Sequence, residues 1–176
     1  YAVEHPAQPA LALTAANRRI FTDTQSDLFV TVFYGVLDPA NGALAYCNAG
    51  HNPPYLLRAG DGGAIEKLGN TGLVLGVLDE DLWEEATVQM APGDLLVLSS
   101  DGIPEAQNAA EAFFREERLL RVLGRVRDRP AEQVQAAVLA EVAGAKAVAD
   151  VEDAMASEEM RVSVPAARTA VDLARA

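Results

Sequence analysis

Residues 28 to 48 read LFVTVFYGVLDPANGALAYCN, two apolar runs joined by Pro39-Ala40-Asn41-Gly42. Leu28 to Asp38 is dense in β-branched and aromatic side chains and nearly apolar on both alternating faces, the pattern of a strand covered on both sides. Asn41-Gly42 can supply positive φ, and Ala43 to Asn48 resumes an extended run. The stretch is therefore expected to form a β-hairpin, which makes the sheet antiparallel from its first two strands.

Upstream, PALALTAANRRI from Pro9 to Ile20 is expected to be a short helix, with Leu11, Ala15 and Ala16 at helical spacing. Arg18 and Arg19 fall in its last turn, where cations suit the helix dipole, and Thr22 to Asp27 reads as a loop. Downstream, strands are expected at Tyr55 to Arg58 and, after Gly60-Asp61-Gly62-Gly63, at Ile65 to Leu68. GNTGLVLGVLDED, residues 69 to 81, carries no period that places it. Trp83 to Met90 alternates as a strand, Ala86, Val88 and Met90 against Glu85, Thr87 and Gln89. Ala91-Pro92-Gly93-Asp94 then turns into LLVLSS, Leu95 to Ser100.

The character changes after that. Arg115 to Val126 is expected to be helical with Leu119, Leu123 and Val126 on one stripe; Pro130 to Ala143 is expected to be a second helix, Val134, Ala137, Val138 and Val142 facing one way. Ala149 to Glu159 is acidic and weakly patterned, Met160 to Val164 alternates as a closing strand, and 165 to 176 is either a short amphipathic helix or a tail. This order does not alternate strand and helix as a Rossmann unit would. It fits an α+β domain, an antiparallel sheet stacked on a second sheet with a helix pair on an outer face.

With 176 residues, half of them hydrophobic, the chain has material for one domain with a sizeable core. Fourteen basic against 26 acidic residues give a formal charge of -12, which argues against nucleic acid as a partner. Cys47 is the single cysteine, so no intrachain disulfide can form and a reducing compartment is expected. The absence of a long apolar window and of signal-peptide order at Tyr1-Ala2-Val3-Glu4-His5 predicts a soluble, cytoplasmic chain with no membrane segment. It begins without Met directly before a helix, which points to a piece of something larger.

Asp101 leads the candidates for chemistry. It ends an apolar strand and precedes Gly102, whose missing Cβ leaves the carboxylate open to an approaching group. A carboxylate held there suits a hard cation such as Mg²⁺ or Mn²⁺, though Asp-Gly also serves as a plain turn. Asp150, Glu152, Asp153, Glu158 and Glu159 form an acidic cluster, and Glu158-Glu159 directly precedes the closing strand. One of these carboxylates could share a metal with Asp101, or the cluster could be a solvated loop. Asn48-Ala49-Gly50-His51-Asn52-Pro53-Pro54 is a defined bend whose polar side chains could bind phosphate oxygens or bridge loops, or whose role is structural. Cys47 alternates with apolar residues and reads as a small core side chain rather than a nucleophile.

Together, residues 28 to 58 and 69 to 120, with the helix pair after them, resemble the SpoIIE/RsbU-type branch of the PPM (PP2C-like) protein phosphatases. FVTVFYGVLD, NAGHNPP, APGDLLVLSSDG and EAQN, in that order, carry the resemblance, which runs from about residue 9 to 164. It implies a β-sandwich flanked by helices, two Mg²⁺ or Mn²⁺ ions, and hydrolysis of phosphoserine or phosphothreonine on a phosphorylated anti-sigma-factor antagonist. It also implies an upstream sensor or response-regulator domain, and leaves room for a homodimer. Asp101 matches the family's metal-binding aspartate. The acidic strand and the aspartate-glycine-histidine-glycine motif that the family places earlier have no match in residues 1 to 8, so this stretch is expected to lack part of the metal site. Glu158-Glu159-Met160-Arg161 stands where the family has Asp-Asp, an apolar residue and Thr; Glu158 is the best match for the second metal ligand, with Asp150 and Asp153 as alternatives. Arg161 beside that place would oppose a cation, so a non-hydrolysing, protein-binding relative is the competing expectation.

Overall fold

In the computed structural model the hairpin is present, β1 (Val32–Leu37) pairing antiparallel with β2 (Ala43–Ala49) from Val32 opposite Ala49 to Leu37 opposite Leu44. The structure describes residues 8–23, 29–60, 63–79, 83–107, 112–145 and 161–163. Gly42, at φ 76°, makes the turn that Asn41-Gly42 announces; its carbonyl accepts from Met90 N at 2.8 Å. The chain divides into two compact units, the first drawn from Tyr1–Pro53 and Leu68–Ala91, the second from Pro54–Lys67 and Pro92–Leu173.

The first unit is a three-stranded sheet in the order β1-β2-β3, where β3 is Ala86–Gln89, packed with helix α1 (Pro9–Asp23). Leu13, Cys47, Ala49, Leu75 and Trp83 form its core, with Val32 and Tyr34 from the same face of β1. Three expectations are corrected in this unit. The first strand begins at Val32, not Leu28, because Val30 leaves the ladder to exchange 2.9 Å backbone hydrogen bonds with Leu75; and β1 is a half-buried edge strand rather than one covered on both faces. The first helix runs through Thr22 and Asp23, where a loop is expected, and Thr22 Oγ1 donates to Arg18 O at 2.7 Å.

The second unit is a four-stranded antiparallel sheet, β5-β4-β6-β7, with β4 Tyr55–Leu57, β5 Ile65–Lys67, β6 Leu95–Leu98 and β7 Arg161–Ser163. Helices α2 (Glu116–Val126) and α3 (Ala131–Ala145) cover one face. Alternation decides what they meet: Tyr55, Leu57, Leu95 and Val97 pack with Leu119, Val122, Leu123, Val134, Val138 and Val142. Val122 joins the stripe, while Val126 is only partly buried. Among the described residues no helix is long and apolar enough to cross a membrane.

Candidate active site

Strand β6 delivers Asp101. Leu95 and Val97 are fixed in the core, Ser99 is still buried, and the chain then turns over residues 101–105. The Asp101 carbonyl accepts from Glu105 N at 2.9 Å, and Ile103 and Ala106 sink into the core behind it. A second strap holds the loop: Arg115 N donates to Pro104 O and Phe114 N to Ala106 O, each at 2.7 Å, with the Phe114 ring buried in the same core. Asp101 itself is exposed, and among the described residues no side-chain hydrogen bond or ion pair engages its carboxylate. The arrangement is an unspent anion on an anchored loop.

That carboxylate fits the role of one oxygen ligand to a hard divalent ion. It does not make a centre alone: among the described residues no three His, Cys, Asp or Glu side chains are grouped to hold a metal. Glu158, Asp150, Asp153, Glu152 and Glu159 lie outside the described residues. Arg161 is the first residue of β7 and pairs with Leu98, three residues before Asp101.

The Asn48 to Pro54 bend is built as a bend. Gly50 sits at φ 74°, where a Cβ would collide with the Val74 side chain, and its N–H donates to Asn70 Oδ1 at 2.8 Å. Thr71 clips the strand end, its N donating to Asn48 O and its Oγ1 accepting from Asn48 N, both at 2.9 Å. His51 Nδ1 lies 2.8 Å from Asn52 O; a carbonyl only accepts, so this nitrogen carries the proton. The Asn48 side chain is fully buried, and among the described residues neither of its amide atoms has a hydrogen-bond partner. Cys47 is fully buried, its thiol 3.2 Å from Glu84 O, and burial first, then the charge of Glu85, pushes it up to about 11. That is the setting of a packing residue, not a nucleophile.

Three polar residues escaped the sequence reading. Asn17 is buried in α1 and ties it to the next segment, Nδ2 donating to Leu78 O at 2.8 Å and Oδ1 accepting from Gly76 N at 2.7 Å. Asp94 is buried at the turn into β6, where Arg58 Nη1 reaches Oδ2 at 3.0 Å and Ala59 N reaches Oδ1 at 2.9 Å. Glu116, in the first turn of α2, accepts from Tyr55 OH at 2.8 Å and pairs with Lys67. The one signal for Asn17 was a poor helix former inside an Ala- and Leu-rich helix.

Antiparallel sheets carrying helices, in this element order, define the class: a PP2C-like fold. The SiaA-PP2C domain of Pseudomonas aeruginosa matches at TM-score 0.66 and 22% identity, over 78% of this chain and 54% of that one. The chain belongs to the family described as Stage II sporulation protein E (SpoIIE), which it matches over residues 1–161. It is 33% identical to Protein IcfG of a Synechocystis species over 54% of its own length, and 29% identical to the phosphoserine phosphatase RsbU of Bacillus subtilis over 58%. It spans 15% and 30% of those two proteins.

Proposed function

We propose that the protein carrying this chain is a Mg²⁺- or Mn²⁺-dependent phosphatase that removes phosphate from serine or threonine of a regulatory protein, a phosphorylated anti-sigma-factor antagonist. The unspent Asp101 carboxylate on its anchored loop carries the reading, and the kinship to a phosphoserine phosphatase supports it. A cytoplasmic setting, an upstream sensor or response-regulator module and a homodimer belong to the same proposal.

Hydrolysis forms a P–O bond to water and breaks the one to the seryl or threonyl oxygen, which leaves with a proton. The two metal ions would supply a water that ionises near neutral pH and charge to offset that building on the phosphoryl oxygens. Asp101 gives an oxygen ligand whose position is set by the core beneath its loop, so little is reorganised when a cation arrives. Glu158 is proposed as a second ligand, with Asp150 and Asp153 as alternatives. Leu98 and Arg161 share a rung; Asp101 follows the first by three residues and Glu158 precedes the second by three. Connectivity alone therefore keeps Asp101 within ~10 Å of that rung.

The test uses the full-length protein on a phosphoserine protein substrate, with and without Mn²⁺. Asp101→Asn should lower kcat/KM by about 100-fold or more while circular dichroism and the unfolding midpoint stay near wild type. Equal activity of the mutant would remove Asp101 from the site. A second reading, a protein-binding module without turnover, is favoured by Arg161 on the strand beside Leu98. It requires that wild type release no phosphate and that Arg161→Thr combined with Glu158→Asp restore metal-dependent release.

A further inference from the structure

We propose that Arg115 is a specificity-determining residue, whose guanidinium receives an anionic group of the phosphorylated chain presented to Asp101. The proposal rests on the phosphatase reading above. It starts from a local conflict. Arg115 has φ 65° and ψ 155°, and among the described residues it is the one non-glycine with positive φ. That region is essentially glycine's and costs a side-chain-bearing residue ~1–3 kcal/mol.

Nothing in the helix it opens rewards an arginine. Arg115 is the N-cap of α2 and makes no side-chain capping hydrogen bond, where Ser, Thr, Asp or Asn would. A cation there also faces the positive end of the helix dipole. Nor do its described neighbours use the charge. Arg115 is exposed, and among the described residues no ion pair joins it to Asp101, Glu105, Glu116 or Glu117, Glu116 being taken by Lys67 and Tyr55. A strained cation that no described residue pairs, in a chain of net charge -12, is a residue whose local cost is offset elsewhere, which is the usual mark of a binding site.

Its address says what it binds. Arg115 N donates to Pro104 O, and the turn containing Pro104 is closed by the Asp101 O to Glu105 N bond. Two hydrogen-bonded steps put the two Cα atoms within ~12 Å, a span that an arginine side chain and an incoming peptide bridge together. The strap through Phe114 and Ile103 makes this spacing rigid. An arginine so placed suits oxyanions, which it takes by bidentate hydrogen bonds. The oxyanion is either a carboxylate flanking the phosphoserine or a phosphoryl oxygen.

The experiment takes the full-length protein with Mn²⁺ and three substrates: a phosphoserine peptide flanked by Asp and Glu, the same peptide flanked by Asn and Gln, and p-nitrophenyl phosphate. Arg115→Gln keeps the strained backbone and loses the charge; Arg115→Gly loses both. Each should raise KM for the acidic peptide about five- to tenfold, with the loss falling on KM rather than kcat, and Arg115→Lys should recover most of it. A rise confined to the acidic peptide assigns the contact to flanking carboxylates, and a rise on all three assigns it to the phosphoryl group. Unchanged KM on every substrate, or a defect in Arg115→Gln that Arg115→Gly repairs, overturns the proposal. If wild type releases no phosphate, the phosphatase reading fails by itself; the proposal is then decided by fluorescence anisotropy of the labelled acidic phosphopeptide, whose Kd must rise by the same factor in Arg115→Gln.

Discussion

Asp94 illustrates how a single carboxylate can hold a turn. It is 2% exposed, and its two oxygens meet the Arg58 guanidinium and the Ala59 N–H, which lashes the start of β6 to the end of β4. Without Asp94 the half-buried Arg58 guanidinium still pairs with Glu66, but the Ala59 N–H loses its acceptor. Asp94→Ala should therefore cost about 2 kcal/mol, read as a lower urea midpoint at unchanged slope. Arg115→Gly should act in the opposite direction. Relief of the positive-φ strain exceeds the entropy that glycine adds to the unfolded chain, so the midpoint should rise by about 1 kcal/mol equivalent. The two residues also differ in what a sequence can disclose. The place of Asp101 was legible, because an apolar run ending in Asp-Gly marks a strand passing into a turn. The φ of Arg115 was not, because nothing in FFREERLL marks an arginine as standing where glycine belongs.

Among the elements, the first turn of α2 carries a carboxylate whose titration is tied to folding. Glu116 is held below its ordinary 4.5 by the hydrogen bond from Lys67 first and that from Tyr55 second. A carboxyl with a lowered folded value contributes stability above its unfolded value and loses it as pH falls through the folded one. Thermal stability should thus decline as pH drops below about 4.5, and Glu116→Gln should flatten part of that decline in a melting-temperature series from pH 7 to 3. The Tyr55 phenol is pushed above its ordinary 10, by burial first and by Glu116 second, so it stays protonated throughout the series. Elements with a period were readable: the hairpin from its turn residues, α2 and α3 from Leu119, Leu123, Val134 and Val138. Residues 69 to 79 were not, because they are fixed singly. Thr71 clips Asn48, Gly72 lies against the Trp83 ring, and Leu75 bridges Val30, contacts that leave no repeating pattern.

For the molecule as a whole, a net charge of -12 on 176 residues means self-repulsion in the folded state. Raising monovalent salt from 20 to 300 mM should increase the unfolding midpoint, and a fall would show that attractive pairs such as Arg118 with Glu141 outweigh it. The arrangement of the second sheet carries a different consequence. Its order sets the apolar strand β6 between β4 and β7, and β7 lies far downstream of β6 in the sequence. On the ribosome, LLVL emerges and folds against β4 long before its outer neighbour exists, leaving one row of amide and carbonyl groups free to recruit a foreign strand. Translation stalled between α3 and Arg161 should release chains that sediment as aggregates, and the short closing segment thereby acts as a safeguard against mispairing of nascent protein.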